Sequence, residues 1–182
     1  MVVSSSNSYS TNKNQALNFA KNNENEFKLK RLRQNGQIQI YQSSYRGSYS
    51  NIIRDSLRNA ALGRKVLLVQ LMKGGVRQGI NNAQKLCNNL KWIRSANSYD
   101  QYDPEDILKD KNLSNLINNS VRELWDYCKK ELLTGEYDQV ILDEIFLAIE
   151  MNIIKTDDLI STLENRFISG DVILTLSLIH IS

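Results

Sequence analysis

Hydrophobic residues along this chain follow two periods, that of a β-strand and that of an α-helix. Residues 37–40 alternate polar and apolar side chains as a short strand does. Apolar residues between 52 and 60 then recur at intervals of three and four, which predicts a helix, and Gly63 marks its C-terminal end. A strand followed directly by a helix is therefore the first predicted unit.

Four further segments have strand length. Residues 65–70, 137–144 and 171–175 carry continuous apolar runs, typical of strands buried on both faces of a parallel sheet, and residues 91–94 form a shorter candidate. Residues 71–79, with three glycines, are predicted to be a loop.

Helical patterns separate these strands. Helices are predicted near 80–90, over 113–133 with an end at Gly135, over 145–151 and over 156–166. The run from Asp103 to Asp106 resembles another helix start, with an aspartate cap and a proline in the first turn. Repeated alternation of strands and helices predicts an α/β fold, a mostly parallel sheet with helices on both faces and ligands at the carboxyl ends of its strands.

The chain is expected to divide into four parts. Residues 1–13 are rich in serine and asparagine and are predicted to be a disordered leader, and residues 14–34 are predicted to form an amphipathic helix. Residues 35–175 form the α/β domain, which we expect to be incomplete at its C-terminal end. Residues 176–182 are expected to be a non-native tail on a truncated reading frame.

Composition narrows the classes of function. The net charge is +3 and the basic residues are spread among acidic ones, so no nucleic-acid surface is indicated. No apolar run reaches the length of a membrane span, and the N-terminus lacks the apolar stretch of a signal peptide. Cys87 and Cys128 are predicted to be reduced core thiols on helices, with a disulfide as the alternative. These features favour a cytoplasmic protein.

Residues 37–50 lie where a phosphate-binding loop (P-loop) is expected, between a strand and a helix. A P-loop needs glycines that let backbone N–H groups surround phosphate, a lysine for the β- and γ-phosphates and a hydroxyl for Mg²⁺. With Gly47 as the second glycine, Ser48 stands at the lysine position and Tyr49 at the hydroxyl position. Arg46 and Gly47, with the start of the helix, are the remaining anion-binding features.

A second signal is the acidic pair that ends the strand at 137–144. Asp143 and Glu144 fit the Walker B pattern, in which a strand-end aspartate serves Mg²⁺ and the neighbouring glutamate supports it. The alternative is that both acids simply begin a solvated loop. Together with the upstream strand, loop and helix, the pair favours descent from a P-loop nucleotide-binding fold.

Several runs together resemble the P-loop family of ATP:corrinoid adenosyltransferases. The runs that carry the resemblance are Ile38-Gln-Ile-Tyr41, Ala61-Leu-Gly-Arg-Lys-Val-Leu-Leu-Val-Gln-Leu-Met-Lys-Gly-Gly75 with Gly79, Glu136-Tyr-Asp-Gln-Val-Ile-Leu-Asp-Glu144 and Asp171-Val-Ile-Leu-Thr175. The resemblance covers residues 36 to 175, and the strand that leads into Lys-Gly-Gly is its most specific part.

The resemblance implies a substrate pair and a chemistry. Members of that family bind ATP and Mg²⁺, and the Co(I) of a corrinoid attacks the ribose 5′ carbon and displaces triphosphate, so no catalytic side chain of the protein is required. By this resemblance Asp143 and Glu144 serve Mg²⁺, Lys73, Gly74 and Gly75 shape the loop at the sheet edge, and the protein forms a homodimer. Trp92 is a candidate to face the corrin, although a place in the core or on the surface is the more ordinary role for a tryptophan.

The altered loop leaves more than one function open. An adenosyltransferase of cobalamin biosynthesis or salvage is the first, and the substitutions at Ser48 and Tyr49 predict little or no turnover. A non-catalytic corrinoid-binding or regulatory protein that no longer uses ATP is the alternative. A generic P-loop ATPase is the third, and it is weaker because hydrolysis depends more directly on the missing lysine.

Overall fold

The computed structural model describes residues 35–43, 49–75, 77–97 and 109–177. Three predicted segments lie outside these residues: the leader at 1–13, the helix at 14–34 and the helix start at 103–106. The part of the chain that is described carries a six-stranded sheet and four α-helices, which confirms the predicted α/β class.

The strands and helices alternate for most of the chain. The strands are β1 (Ile38–Ser43), β2 (Val66–Gly74), β3 (Gln84–Leu86), β4 (Leu90–Ser95), β5 (Gln139–Asp143) and β6 (Asp171–Ser177). The helices are α1 (Ser50–Ala61), α2 (Lys111–Thr134), α3 (Ile145–Glu150) and α4 (Thr156–Glu164). Within the described ranges, no helix is long and apolar enough to span a bilayer.

The strand order is β1-β6-β5-β2-β4-β3, and every neighbouring pair is parallel except β3 with β4. The carboxyl ends of β1, β6, β5, β2 and β4 therefore meet at one edge of the sheet. Ligands of open α/β sheets bind at this edge.

Each face of the sheet has its own apolar core. On one face, alternate residues of β2 such as Leu67 and Val69 pack with side chains of α2, α3 and α4, including Ile117 and Trp125. On the opposite face, Leu68 and its neighbours pack with α1. The predicted cover of helices on both faces is confirmed, and the continuous apolar runs of the inner strands follow from burial on both sides.

The longest helix, α2, has a defined start and end. The Asp110 carboxylate accepts hydrogen bonds from the backbone N–H groups of Asn112 and Leu113, at 2.9 and 3.2 Å. At the other end Gly135 has φ of +68°, and a Cβ there would lie 2.4 Å from the Phe167 ring. Because glycine has no Cβ, it accommodates both the left-handed backbone and the close approach of the Phe167 ring.

The helix predicted near residues 80–90 is wrong. Ile80–Asn82 form a single 3₁₀ turn, and β3 then pairs antiparallel with β4 in a hairpin. Cys87 and Asn88 turn the chain with φ of +51° and +59°. Asparagine tolerates this left-handed conformation well, so Asn88 was the turn signal that the helical interpretation overlooked.

Two smaller corrections concern the end of β2 and the location of the two cysteines. Strand β2 continues through Leu71 to Gly74 rather than ending before a loop, because Leu71 and Met72 are fully buried. Both cysteines are free thiols, but only Cys128 lies in the core, where burial raises its pKa, whereas Cys87 is exposed in the hairpin turn.

Candidate functional site

Polar side chains are buried at the carboxyl edge of the sheet, on the face that α1 covers. Gln70 of β2, Asp143 of β5 and Thr175 of β6 follow the apolar residues Leu68, Ile141 and Ile173 by two positions, so they point to the same face. Gln70 lies beside Asp143 in the strand register. All three polar residues are at most 2% exposed.

Asp143 is the centre of this network. Its Oδ1 accepts a hydrogen bond from Thr175 Oγ1 at 2.7 Å. Its Oδ2 accepts from Gln70 Nε2 at 2.6 Å and from Lys73 Nζ at 2.9 Å. Burying a carboxylate is costly unless its oxygens are hydrogen-bonded, and here both oxygens have partners.

Glu144 adds a second buried carboxylate next to Asp143. Its side chain has no exposed surface, and Oε1 lies 3.8 Å from Lys73 Nζ. Its backbone is left-handed, with φ of +62°, and its N–H donates to Thr175 Oγ1 at 2.8 Å. The Thr175 hydroxyl therefore holds the Asp143 carboxylate and the strained backbone of Glu144 at once.

Gln70 links Asp143 to two residues of β4. Its Oε1 accepts from Trp92 Nε1 at 2.9 Å and from Arg94 Nε at 2.6 Å. Two donors on Oε1 fix the amide so that its NH₂ group faces Asp143. The Arg94 guanidinium also lies over the Trp92 ring, 4.6 Å from its centroid.

Lys73 and Gly74 end β2, and Gly75 follows. A Cβ on Gly74 would lie 1.3 Å from the backbone oxygen of Asn97, so only glycine fits where the chain after β4 crosses β2. The N–H of Gly75 donates to Ser95 O at 3.3 Å. The glycines bring this backbone close to β4, and Lys73 extends from the same turn to the carboxylates.

Tyr49 lies at the start of α1, and its side chain is 5% exposed. Its ring packs in the core on the α1 face, and its hydroxyl donates to the backbone oxygen of Leu176 on β6. The residue that aligns in sequence with the metal-facing hydroxyl of a P-loop is therefore a tyrosine with its ring in the core. Arg46, Gly47 and Ser48 lie outside the described residues.

Among the residues that the structure describes, the carboxylates of Asp143 and Glu144 are the only acidic groups of the network. No cluster of three or more His, Cys, Asp or Glu side chains that could hold a metal occurs within the described ranges. A hard divalent cation at Asp143 would thus take much of its coordination from a bound phosphate or water, as Mg²⁺ commonly does.

A groove of about 430 Å³ lies between β1 and α1, and it is separate from the network, because Gln70, Lys73, Asp143, Glu144 and Thr175 do not line it. Its polar lining is mostly neutral, with the amides of Gln39, Asn51, Asn59 and Gln139. Asn59 Nδ2 donates to Gln139 Oε1 at 3.0 Å, so part of this amide surface is already satisfied internally.

The structure brings together Lys73, Asp143 and Glu144, three of the residues singled out from sequence. Sequence reasoning missed Gln70, Arg94 and Thr175. A polar residue that interrupts or ends an apolar strand was the available signal for Gln70 and Thr175. Trp92 packs partly buried against the α1-side core and binds Gln70, which gives it a structural role.

A family model described as ATP:corrinoid adenosyltransferase BtuR/CobO/CobP matches residues 34–176. A comparison with curated proteins gave no match. The matched segment contains the whole described sheet up to Leu176 of β6.

Proposed function

This chain belongs to the ATP:corrinoid adenosyltransferase family, and we propose that it binds ATP at the carboxyl edge of its sheet and alkylates a Co(I) corrinoid only slowly. The observation that carries the proposal is the buried Asp143 network beside a replaced P-loop hydroxyl. The hydrogen bonds that hold the Asp143 carboxylate support a metal-binding end of the proposed nucleotide site, whereas its proposed phosphate end departs from the family pattern at Ser48 and Tyr49.

In this reaction the protein positions the substrates and stabilises charge, and it does not supply the nucleophile. Cobalt of the corrinoid forms the bond to the ribose 5′ carbon, the carbon–oxygen bond breaks, and triphosphate leaves with the electron pair. Cationic groups that meet the leaving triphosphate lower the barrier. We propose Lys73 and Arg46 for this role, together with the backbone N–H groups at Gly47 and the start of α1.

The family's Mg²⁺ fits the Asp143 end of the site. Asp143 Oδ2 already binds a cation, the Lys73 ammonium at 2.9 Å, while Thr175 and Gln70 orient the carboxylate. We propose that Asp143 holds the metal and Glu144 supports it. When bound, Mg²⁺ supplies positive charge to the triphosphate.

The weak ATP binding and slow reaction that we propose follow from the phosphate end of the site, at Ser48 and Tyr49. Ser48 lacks the charge of the P-loop lysine, and a hydrogen bond from a charged donor contributes about 1.5–3 kcal/mol. The Tyr49 hydroxyl donates to Leu176 O inside the protein. ATP binding is therefore expected to be about ten to a hundred times weaker than at a complete loop.

The test compares the wild-type chain with Ser48→Lys and with Ser48→Lys combined with Tyr49→Thr. ATP affinity by titration calorimetry and the rate of Co(I) adenosylation are measured, and each substitution is expected to raise both. Because Tyr49 is buried, Tyr49→Thr is accompanied by a thermal unfolding curve, and Tyr49→Phe serves as the control that keeps the ring. Wild-type turnover within about tenfold of a member with a complete loop, a barrier difference of about 1.4 kcal/mol, contradicts the proposal.

The burial of Tyr49 also favours a second candidate. The Tyr49 ring packs between α1 and β6 where the family pattern has a small metal-facing hydroxyl, as expected of a homologue that binds a corrinoid without using ATP. Corrinoid binding without measurable ATP binding, even at millimolar ATP, identifies this candidate. A homodimer, expected from the resemblance, and a cytoplasmic location, expected from the composition, remain predictions for light scattering and fractionation.

A further inference from the structure

We propose that Lys73 and a divalent cation exclude each other at Asp143, and that the ammonium released on metal binding becomes the lysine that meets the triphosphate. This inference rests on the proposed function and deepens it. It assigns to Lys73, at the end of β2, the charge that the family's loop carries at the position of Ser48.

The Lys73 ammonium lies close to both buried carboxylates. Lys73 Nζ lies 2.9 Å from Asp143 Oδ2 and 3.8 Å from Glu144 Oε1, so it bridges both buried carboxylates. The Lys73 side chain is 19% exposed, against 3% for Asp143 and 0% for Glu144. Of these three charged side chains, Lys73 is therefore the one most accessible to solvent.

Asp143 does not depend on Lys73 for its position. Thr175 Oγ1 holds Oδ1, and Gln70 Nε2 holds Oδ2 at 2.6 Å. Gln70 is itself fixed by Trp92 and Arg94 on β4. These donors are neutral at the carboxylate, so they stay compatible with a metal ion there.

An ammonium and a dication a few ångströms apart in a poorly solvated site repel each other strongly, so one must leave. Lysine can leave because its charge ends a flexible four-carbon stem, and β2 has a register irregularity between Gln70 and Gly74 around it. The released cation stays at the carboxyl edge, where the triphosphate is proposed to bind.

The test begins with metal alone. Mn²⁺ affinity is measured by electron paramagnetic resonance for the wild type, Lys73→Met and Lys65→Met, without nucleotide. Lys65 precedes β2 at its opposite end and its side chain is 56% exposed, so it controls for net charge. Lys73→Met is expected to bind Mn²⁺ at least about tenfold more tightly than wild type, and Lys65→Met within about threefold of it. Equal or weaker binding by Lys73→Met overturns the inference.

A second measurement uses the wild type and does not depend on the variant folding. Amine acylation followed by mass spectrometry gives the reactivity of Lys73 and Lys65 at increasing Mn²⁺ concentration. We expect Lys73 to become several times more reactive as Mn²⁺ binds and Lys65 to stay unchanged. Constant Lys73 reactivity over the range in which Mn²⁺ binds overturns the inference. In that case, tighter Mn²⁺ binding by Lys73→Met would reflect only the loss of a nearby positive charge and not the displacement of the ammonium.

The nucleotide arm tests the released ammonium. With saturating Mn²⁺, Lys73→Met is expected to bind ATP at least about tenfold more weakly than wild type, opposite in sign to its effect on metal. Equal ATP affinity refutes this half of the inference. If the wild type binds no ATP, the proposed function fails, while the metal and acylation measurements still decide the competition at Asp143.

Discussion

Replacing Thr175 by valine removes one hydroxyl from the centre of the carboxyl-edge network and leaves the shape of the side chain almost unchanged. Thr175 is fully buried. Its Oγ1 donates to Asp143 Oδ1 at 2.7 Å and accepts from the Glu144 N–H at 2.8 Å. The substitution therefore leaves a buried carboxylate oxygen and a buried N–H without these partners.

The magnitude follows from the two groups. A hydrogen bond to a charged group contributes about 1.5–3 kcal/mol, and a buried N–H left unpaired costs about 1–3 kcal/mol. Allowing for partial relaxation, Thr175→Val is expected to lower the free energy of unfolding by about 3–5 kcal/mol. For a chain of this size, that corresponds to a fall in Tm of roughly 6–20 °C.

The assay is urea unfolding at neutral pH, followed by far-UV circular dichroism. Thr162→Val is the matched control, because Thr162 is also buried and its hydroxyl donates to the Asp158 backbone oxygen within α4 at 2.6 Å. That oxygen lies four residues earlier, where a helical N–H normally binds, so the control is expected to lose less than about 1 kcal/mol. Similar losses for Thr175→Val and Thr162→Val would refute the reasoning that the hydroxyl holds both strand-end acids.

Two further predictions concern other parts of the fold. A hydrogen bond from Trp125 Nε1, at 2.6 Å, is the largest cause of the lowered pKa of Asp158. The ionised carboxylate therefore stabilises the fold at pH values above its ordinary pKa. This stabilisation is lost as the pH falls through the lowered pKa. Asp158→Asn should therefore lower the free energy of unfolding by less than about 1 kcal/mol at pH 7, since the side chain is 42% exposed. The difference from wild type should disappear in urea titrations as the pH falls through the lowered pKa of Asp158. Gly74→Ala places a Cβ 1.3 Å from Asn97 O and should lower the free energy of unfolding by about 3 kcal/mol or more, whereas Gly75→Ala, whose nearest atom is a side-chain carbon at 3.4 Å, should cost less than about 1 kcal/mol. Equal losses for the two alanine variants in thermal unfolding would contradict the close approach at Gly74.

Much of the fold was predictable because strands that are buried on both faces of a sheet appear in the sequence as continuous apolar runs. The runs that became β2, β5 and β6 are continuously apolar, and α2 carries apolar residues at intervals of three and four up to Gly135. The hairpin of β3 and β4 was missed because a three-residue strand is too short to show a period of two. Its signal lay in the turn at Asn88.

The acids of the candidate site were predictable for a related reason. Charged residues that directly follow a buried strand, as Asp143 and Glu144 do, must end near the sheet edge, and parallel strands share one such edge. The resemblance to a family, carried by the run into Lys73, Gly74 and Gly75, pointed to the same edge.

The sequence by itself determined the order of strands and helices outside residues 80–90, the sheet edge at which the acidic pair lies and the family to which the chain belongs. Only the tertiary structure decided the partners of those groups. Gln70, Asp143 and Thr175 come from three strands that are far apart in the chain, and their hydrogen bonds arise from strand order and register. Likewise, the sequence placed a tyrosine at position 49, but packing between α1 and β6 put its ring in the core and its hydroxyl on Leu176 O. Hydrophobic periodicity is a local property, whereas the pairing of buried polar atoms depends on which strands become neighbours.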